Sequence, residues 1–534
     1  MPAIISDQFR ILNAANFVAG VADTSQSYYT FIGLPNSTDV GAGYGQTDWN
    51  TNTPAPKDGF REYNDVYDTM LGLKRLTGDD VQRMVKKYTW TAGTVYEMYK
   101  NSYTRTSQSP KTSSTNLYDA QYYVVNSDLK VYICINNGQS PDNPQGRQSL
   151  DEPDFVDLEP RAAGTSGDGY IWKYLYTIKP NQIIKFDSID FMPVPNNWGT
   201  GDSLDVKNNA VDGKIETALI VNSGGGYQPI GTTFNNIPIL GDGTGGRASI
   251  TVNSQGKVSD ITVTNGGNGY SRGSVQFYPG APGAETGGPI SGLSAVGVGT
   301  TSVAEFEVVI PPPGGHGADV YGELGAFRVL LYSRFENDAS NPDFIVGNDF
   351  AQVGVVKNPQ TPSGAALGLS KASALTALKL KVVSGTNNIS DVVYSADSPI
   401  SQTIGVGSTA VGYVASWEPT TGVLKVYTPV GIGSTTYGHR LVDFTSGIGP
   451  GGTYSITGGS GGVCGIDTSF GSDAQPGTAT TVGTAIVQLG QSFIEGVALP
   501  EVKKYSGEIL YIDNRAAIQR SATQKEDVKV VLEF

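Results

Sequence analysis

The stretch GDGYIWKYLYTIKP, Gly167 to Pro180, sets Tyr170, Trp172, Tyr174 and Tyr176 in strict alternation between a Gly-Asp-Gly turn and a proline. Residues two apart in a strand share a face. The four rings and Ile178 then lie on one side, with Ile171, Lys173, Leu175, Thr177 and Lys179 on the other. Such rings carry much apolar area and keep a polar tip for a hydrogen bond. The stripe reads first as a packed sheet face and second as a platform for stacking sugars or bases. Either way it is a strand, and it sets the expectation of a mainly β protein.

Composition points the same way. Charged residues make up only 16% of the 534, while there are 69 glycines and 28 tyrosines, which suits sheets joined by tight turns. The length allows roughly three or four domains, each with its own core. A net charge of -14 opposes nucleic acid and anionic membranes at long range. The densest basic stretch, Lys74-Arg75 to Lys86-Lys87, is broken by Asp79 and Asp80. Two distant cysteines, Cys134 and Cys464, exclude a disulfide framework and an all-cysteine metal cluster, and read as inert buried thiols. Two histidines, His316 and His439, argue against a histidine-based metal site. MPAIISDQFRIL has no basic region followed by an apolar core, so no signal peptide is expected. No run approaches 18 apolar residues, so no membrane insertion is expected.

Along the chain, residues 1–211 read as an α+β domain. ISDQFRILNAANFVAGV is a helix capped by Ser6 or Asp7, with Phe9, Leu12, Asn13, Asn16 and Phe17 at helical spacing. SYYTFIGL is a strand. Phe60, Tyr63, Tyr67, Met70, Leu71 and Leu73 share a helical face after a cap at Asp58. LTGDDVQRMVKKYTW reads as another helix. LYDAQYYVVNS and KVYICINN form a hairpin around Asn126-Ser127-Asp128. Residues 212–313 are a Gly-rich β-repeat insertion. ALIVNSGGGYQPIG is echoed by DITVTNGGNGYSRG, with Tyr227 and Tyr270 43 residues apart. The glycines permit positive φ, and each tyrosine can lie across its own turn. Residues 314–360 return to ordinary globular strands. Residues 361–499 are a second Gly/Ser/Thr-rich β insertion, with a hairpin whose tip is Pro419 to Gly422 and a long flexible loop from Tyr454. Residues 500–534 supply two strands that complete the first domain. Both insertions are expected to be β-sandwich-like, and the chain termini to meet in one domain.

Chemical motifs are few. Gly241, Gly243 and Gly246 spell G-x-G-x-x-G, but a strand, RASITV, follows where a pyrophosphate-binding helix is required. There is no phosphate-binding loop of the G-x-x-x-x-G-K-[ST] type, no H-E-x-x-H and no G-x-S-x-G. His316, in PPPGGHGAD, and His439 read as turn or surface residues. DEPDFVDLEP, with Asp151, Glu152, Asp154, Asp157 and Glu159, reads as a solvated acidic loop, with cation binding as the alternative. No catalytic, cofactor-binding or metal residue is assigned, and no enzyme activity is expected.

Several segments carry a family resemblance. GDGYIWKYLYTIKP with the acidic stretch before it, NDFAQVGVVKNP, and SGEILYIDNRAAIQR followed by DVKVVLEF resemble the baseplate wedge subunits numbered eight in T-even-type contractile-tailed bacteriophages. IISDQFRILNAANFVAGV and NDVYDTMLGLKRL look like the longer versions from phages of marine cyanobacteria. The likeness covers about residues 1–200, 314–360 and 500–534, and the two Gly-rich blocks are the departure from it. The resemblance implies a virion tail subunit, assembled in the host cytoplasm. It would form a homodimer that contacts other wedge proteins, with an α/β domain built from both chain ends. It singles out Tyr170, Trp172, Tyr174, Tyr176, Glu508, Tyr511, Asn514 and Arg515 as packing or interface residues. The competing reading is a tail protein that binds or cleaves host-surface glycan through its Gly-rich insertions. A secreted adhesin, the third class, would call for a secretion signal.

Overall fold

The computed structural model describes residues 5–34, 49–56, 59–283, 288–295, 303–336, 349–428, 442–471, 479–482, 485–488, 490–519, 521 and 524–534. The fold is mainly β: thirty strands stand against five α-helices among these residues. Two compact units share the chain. Met1–Phe17, Gln82–Leu330 and Val531–Phe534 form the first, and Val18–Val81 with Leu331–Val530 form the second.

The first unit contains both ends of the sequence described. Ser6 caps the helix Asp7–Ala22, its Oγ accepting from Phe9 N–H at 3.3 Å. The helix buries Ile11 and Ala14, while Phe9 and Leu12 are about half exposed, so the helical phase differs from the one the large side chains suggested. Arg10 then closes the ends. Its guanidinium pairs with Glu533 at 2.7 Å, donates to the Phe534 carbonyl and lies 3.8 Å over the Phe327 ring. The Phe17 and Phe534 rings are 5.5 Å apart. Of residues 500–534, only Val531–Phe534 belong to this unit.

Its larger core gathers around a three-stranded antiparallel sheet: Tyr123–Val125, Lys130–Asn137 and the aromatic strand Tyr170–Thr177. The hairpin turn is fixed by Asn126, whose Oδ1 accepts from the N–H groups of Asp128 and Lys130. VQRMVK, expected as helix, is the strand Val81–Lys86. Nearly every side chain in it is buried, and that continuous burial is why its apolar spacing mimicked a helix.

The Gly-rich block forms a second, self-contained core. Every buried residue of that core lies between Ile215 and Val308, around the strands Thr232–Pro238, Arg247–Val252 and Val258–Asn265. Of the two repeat tyrosines, Tyr227 and Tyr270, the second lies against its own turn, where a Cβ on Gly267 would be 2.9 Å from its ring. Both enter this core, because a buried phenol needs a partner for its hydroxyl. Tyr227 Oη donates to Phe277 O at 3.0 Å and accepts from Ala304 N–H at 2.7 Å. Tyr270 Oη donates to Ile239 O at 2.9 Å and accepts from Gly246 N–H at 3.1 Å. Here the G-x-G-x-x-G run has a packing explanation. A Cβ on Gly243 would lie 2.4 Å from Tyr270 Cγ, and one on Gly246 would lie 2.8 Å from its Oη.

The second unit holds a five-stranded antiparallel sheet. Its order is Lys371–Ser373, Met70–Leu76, Tyr28–Gly33, Asp349–Lys357, Glu508–Gln519. The helix before it, Phe60–Thr69, follows Gly59 and gives way at Met70 to a strand, so Met70, Leu71 and Leu73 are sheet residues rather than helical ones. Asp58 lies outside the described residues. Residues 376–498 build a seven-stranded sheet. Its outer strands Pro399–Gly405 and Ser455–Ile456 meet through a bridge between Ser401 and Thr457, so the sheet nearly closes into a barrel. Closure removes exposed edges, and Leu378, Leu424, Phe444 and Cys464 fill the interior. Part of the stretch from Tyr454, expected as a flexible loop, supplies the paired strands Ser455–Ile456 and Val463–Ile466.

Tyr270→Phe keeps the ring but strands the Gly246 N–H and the Ile239 carbonyl. Urea unfolding should show a loss of about 1–3 kcal/mol. Gly243→Ala should cost a similar ~1–3 kcal/mol by overpacking the same ring.

Candidate functional site

The aromatic strand is core within a single chain. Tyr170 and Trp172 are 0% exposed and Tyr176 is 4% exposed. Tyr170 stacks on Trp172 at 5.3 Å, and Trp172 meets Tyr96 edge-on at 5.9 Å. Tyr170 Oη accepts from Tyr96 N–H at 2.8 Å and donates to Arg147 O at 2.7 Å. Tyr176 Oη donates to Pro193 O at 3.1 Å. Tyr174 is half-buried against Tyr132, and its hydroxyl meets Thr177 Oγ1 at 2.8 Å. Lys173, on the opposite face, is also buried and donates from Nζ to Leu158 O at 2.8 Å. Strict alternation of buried and open faces fails because the sheet is covered on both sides. The register also shifts twice along Lys130–Asn137. Sealed in this way, Tyr170 and Trp172 have no free face on which a sugar or base could stack.

The other four singled-out residues lie on the strand Glu508–Gln519 in the second unit. Glu508 faces Lys357 across the ladder, and Tyr511 faces Val355. Asn514 is buried. Its Oδ1 accepts from Gln352 Nε2 at 3.0 Å and its Nδ2 donates to Pro54 O at 2.9 Å. Arg515 is exposed and pairs with Asp513 at 2.5 Å. Tyr511 and Arg515 border a groove of about 360 Å3 together with Asp527 and Lys529. The structure therefore divides the eight residues into a buried aromatic set and a partly exposed set on a different unit.

His316 lies in a turn, as its sequence suggested, but not at the surface. It is buried, and its Nδ1 lies 2.6 Å from Glu323 Oε1, with both side chains almost wholly sealed. Glu323 Oε2 accepts from Gly317 N–H at 2.8 Å, and Tyr99 packs edge-on against the imidazole at 4.8 Å. The short helix Val320–Leu324 places Glu323. Asp319 caps that helix by accepting from Tyr321 N–H at 3.1 Å. The Asp319 cap six residues before a Gly325 stop was the one available signal. Among the described residues this is the only side-chain hydrogen bond of His316, and the pair fastens the loop that carries it to the helix Val320–Leu324. His439 lies outside the described residues.

The acidic stretch disperses instead of converging. Asp151 accepts from Ser166 N–H at 2.7 Å, Glu152 from Ser127 N–H at 2.7 Å, and Asp157 pairs with Arg161 at 2.8 Å. Glu159 pairs with Lys214 at 2.6 Å, and that bond lowers its pKa. A hard cation needs several oxygens on one point. Among the described residues no group of three or more His, Cys, Asp or Glu is placed to hold a metal ion. Both cysteines are free and buried, and burial pushes each thiol up. Among the described residues no helix is long and apolar enough to cross a membrane. No protein-family model matches the chain, and no curated protein matches it.

A second polar feature sits in the Gly-rich block. Asp242 Oδ2 accepts from Ser271 Oγ at 2.5 Å, and its Oδ1 accepts from the N–H groups of Ser271 and Arg272 at 3.0 and 3.1 Å. These donors, the Ser271 hydroxyl first, pull the carboxyl from an ordinary 3.8 to about 2. A depressed folded-state value means the carboxylate stabilises the fold above the ordinary value and loses that contribution as pH falls through about 2. Asp242→Asn should lower the melting temperature at pH 7, and the gap from the parent should close towards pH 2. NMR titration of the carboxyl gives the midpoint directly.

Proposed function

We propose that this chain is a structural, non-enzymatic subunit of the tail baseplate wedge of a contractile-tailed bacteriophage. In this reading it assembles in the host cytoplasm into the virion, acts as a homodimer against other wedge proteins and binds no nucleic acid. It would hold the baseplate together and pass on the contraction signal. One observation carries the reading beyond the resemblance itself. The resembling segments are scattered in sequence, yet three of them supply the strands Met70–Leu76, Asp349–Lys357 and Glu508–Gln519 of one five-stranded sheet, and Tyr28–Gly33, within the range the likeness covers, is a fourth. Only the three-residue edge strand Lys371–Ser373 comes from elsewhere. The two Gly-rich blocks, by contrast, fold around cores of their own. Self-contained insertions on a discontinuous frame are what an elaborated family member would show. The buried aromatic strand supports a packing role for its rings. A wedge subunit must hold through assembly and then rearrange, which suits interfaces with two packed arrangements.

Light scattering of the purified chain over a concentration series tests the oligomer. A stable species near twice 56.2 kDa supports the dimeric wedge subunit. A trimer points to a spike or fibre and overturns it. Deleting Ser506–Phe534 removes the strand that pairs with Asp349–Lys357 along eight registered positions. The deleted chain should be insoluble and fail to enter wedges, whereas a soluble variant that still assembles counts against a structural role for this strand.

A further inference from the structure

A cleft of about 580 Å3 lies within the first unit, between the aromatic-strand core and the Gly-rich block. One wall comes from Asn136, Glu159 and Ile171, the other from the strand Val258–Asn265, and the floor from residues 214–217. On that strand Asp260, Thr262 and Thr264 alternate, so they share one face, and all three are exposed. Glu216 lines the floor with only 8% of its side chain exposed. Its Oε2 is buried and has no hydrogen-bond partner among the described residues. A buried carboxylate oxygen left without a donor is costly, so the site favours something that brings one.

The chemistry of the missing donor follows from its surroundings. Two lysines are near, and both are already engaged. Lys214 Nζ is held by Glu159 at 2.6 Å. Lys173 Nζ donates to Leu158 O at 2.8 Å and stands 4.0 Å from the other Glu216 oxygen. Glu159, Glu216 and Asp260 are thus nearly balanced by Lys173 and Lys214, which leaves little field to attract a bare cation. What remains is a line of hydroxyls, amides and carboxylate oxygens beside the aliphatic face of Ile171. Asn136 Nδ2 donates to Thr217 Oγ1 at 3.0 Å, and Thr262 Oγ1 to Asp260 Oδ2 at 3.0 Å, so each pair still has acceptor capacity to offer. A neutral ligand with many O–H donors and a C–H face satisfies both surfaces.

We propose that this cleft is a binding site for a neutral oligosaccharide, with a sugar hydroxyl donating to the Glu216 carboxylate and others reaching Asp260, Thr262 and Thr264. The volume takes about two or three sugar rings and falls within the usual range of ligand pockets. No aromatic ring lines the cleft, so there is no stacking plane and the affinity is weak, on the order of 1 mM. The site is separate from the buried Tyr170–Trp172 stack.

The test uses the full chain with neutral di- to tetrasaccharides of glucose, galactose and N-acetylhexosamine. Saturation-transfer NMR detects binding and calorimetry measures it. At least one sugar should bind. Glu216→Gln should weaken it about ten-fold, as loss of a hydrogen bond to a charged group does. Because Glu216 is buried, the double variant Thr262→Val with Thr264→Val provides a second check at exposed strand positions that tolerate β-branched side chains. It should weaken binding about three- to ten-fold while leaving the melting temperature unchanged. Failure of every sugar to bind the parent chain at about 10 mM overturns the proposal, as does equal binding by the parent and the double variant. Tighter binding of arginine methyl ester than of any sugar also overturns it, in favour of a cationic ligand. Free oligosaccharide and a surface-borne glycan present the same hydroxyls. Binding to glycan-coated vesicles without binding to the matching free sugar likewise counts against a built site.

Discussion

The buried tyrosine hydroxyl is the interaction on which the rest of the structure depends. A chain with few charges and many tyrosines can place those rings inside only if each O–H finds a partner there. The partner is repeatedly a backbone carbonyl from another segment of the chain. Tyr29 donates to Leu367 and Leu369, Tyr122 to Glu323, Tyr132 to Phe155, Tyr170 to Arg147, Tyr176 to Pro193 and Tyr394 to Ile456. The Leu367, Leu369, Phe155 and Arg147 carbonyls lie in irregular segments, whereas those of Glu323, Pro193 and Ile456 lie in a helix or a strand. The same contact supplies apolar burial and satisfies a backbone group, so it also anchors the segment that carries the carbonyl. The glycines complement the phenols, since rings as large as Tyr270 fit only where the opposing backbone carries no Cβ.

Much of this architecture was legible in the sequence because it rests on local rules. The alternation in YYVV and KVYICINN, with Asn126 at the turn, reads directly as a hairpin. The duplicated Gly-Tyr unit announces a β module, and residues 500–534 announce two strands. Failures arose where tertiary burial overrides periodicity. Val81, Met84 and Val85 fit a helical face as well as a strand covered on both sides, and only neighbours distinguish the two. Met70 to Leu73 continue a helical pattern, but pairing with Tyr28–Gly33 captures them into a sheet. His316 looked like a surface residue because its partner, Glu323, is brought to it by the turn between them.

Sites were less legible than strands. The aromatic stripe could be read as packing, since alternation in a strand predicts one shared face. Its complete sealing could not, because that depends on Tyr96, Arg147 and Pro193 arriving from elsewhere. Glu216 has no sequence signature at all. Its unpartnered oxygen is visible only once Lys173 and Lys214 are seen to be engaged with other groups. Acidic density was the more conspicuous signal at residues 151–159, and it proved to be a set of separate turn and ion-pair contacts.

The interleaving of the two units bears on how the chain is made. The sequence passes from one unit to the other at Phe17/Val18, Val81/Gln82, Leu330/Leu331 and Val530/Val531, so neither unit is a continuous segment. During vectorial synthesis the helix bearing Arg10 leaves the ribosome more than five hundred residues before Glu533 and Phe534, which it must meet. Folding domain by domain from the N-terminus, the usual route for long chains, can then finish only the inserted modules early. The frame waits for the last residues. A truncated nascent chain would keep its opening helix unpaired and open to chaperones and proteases, so only a chain extended through residues 531–534 closes the first unit.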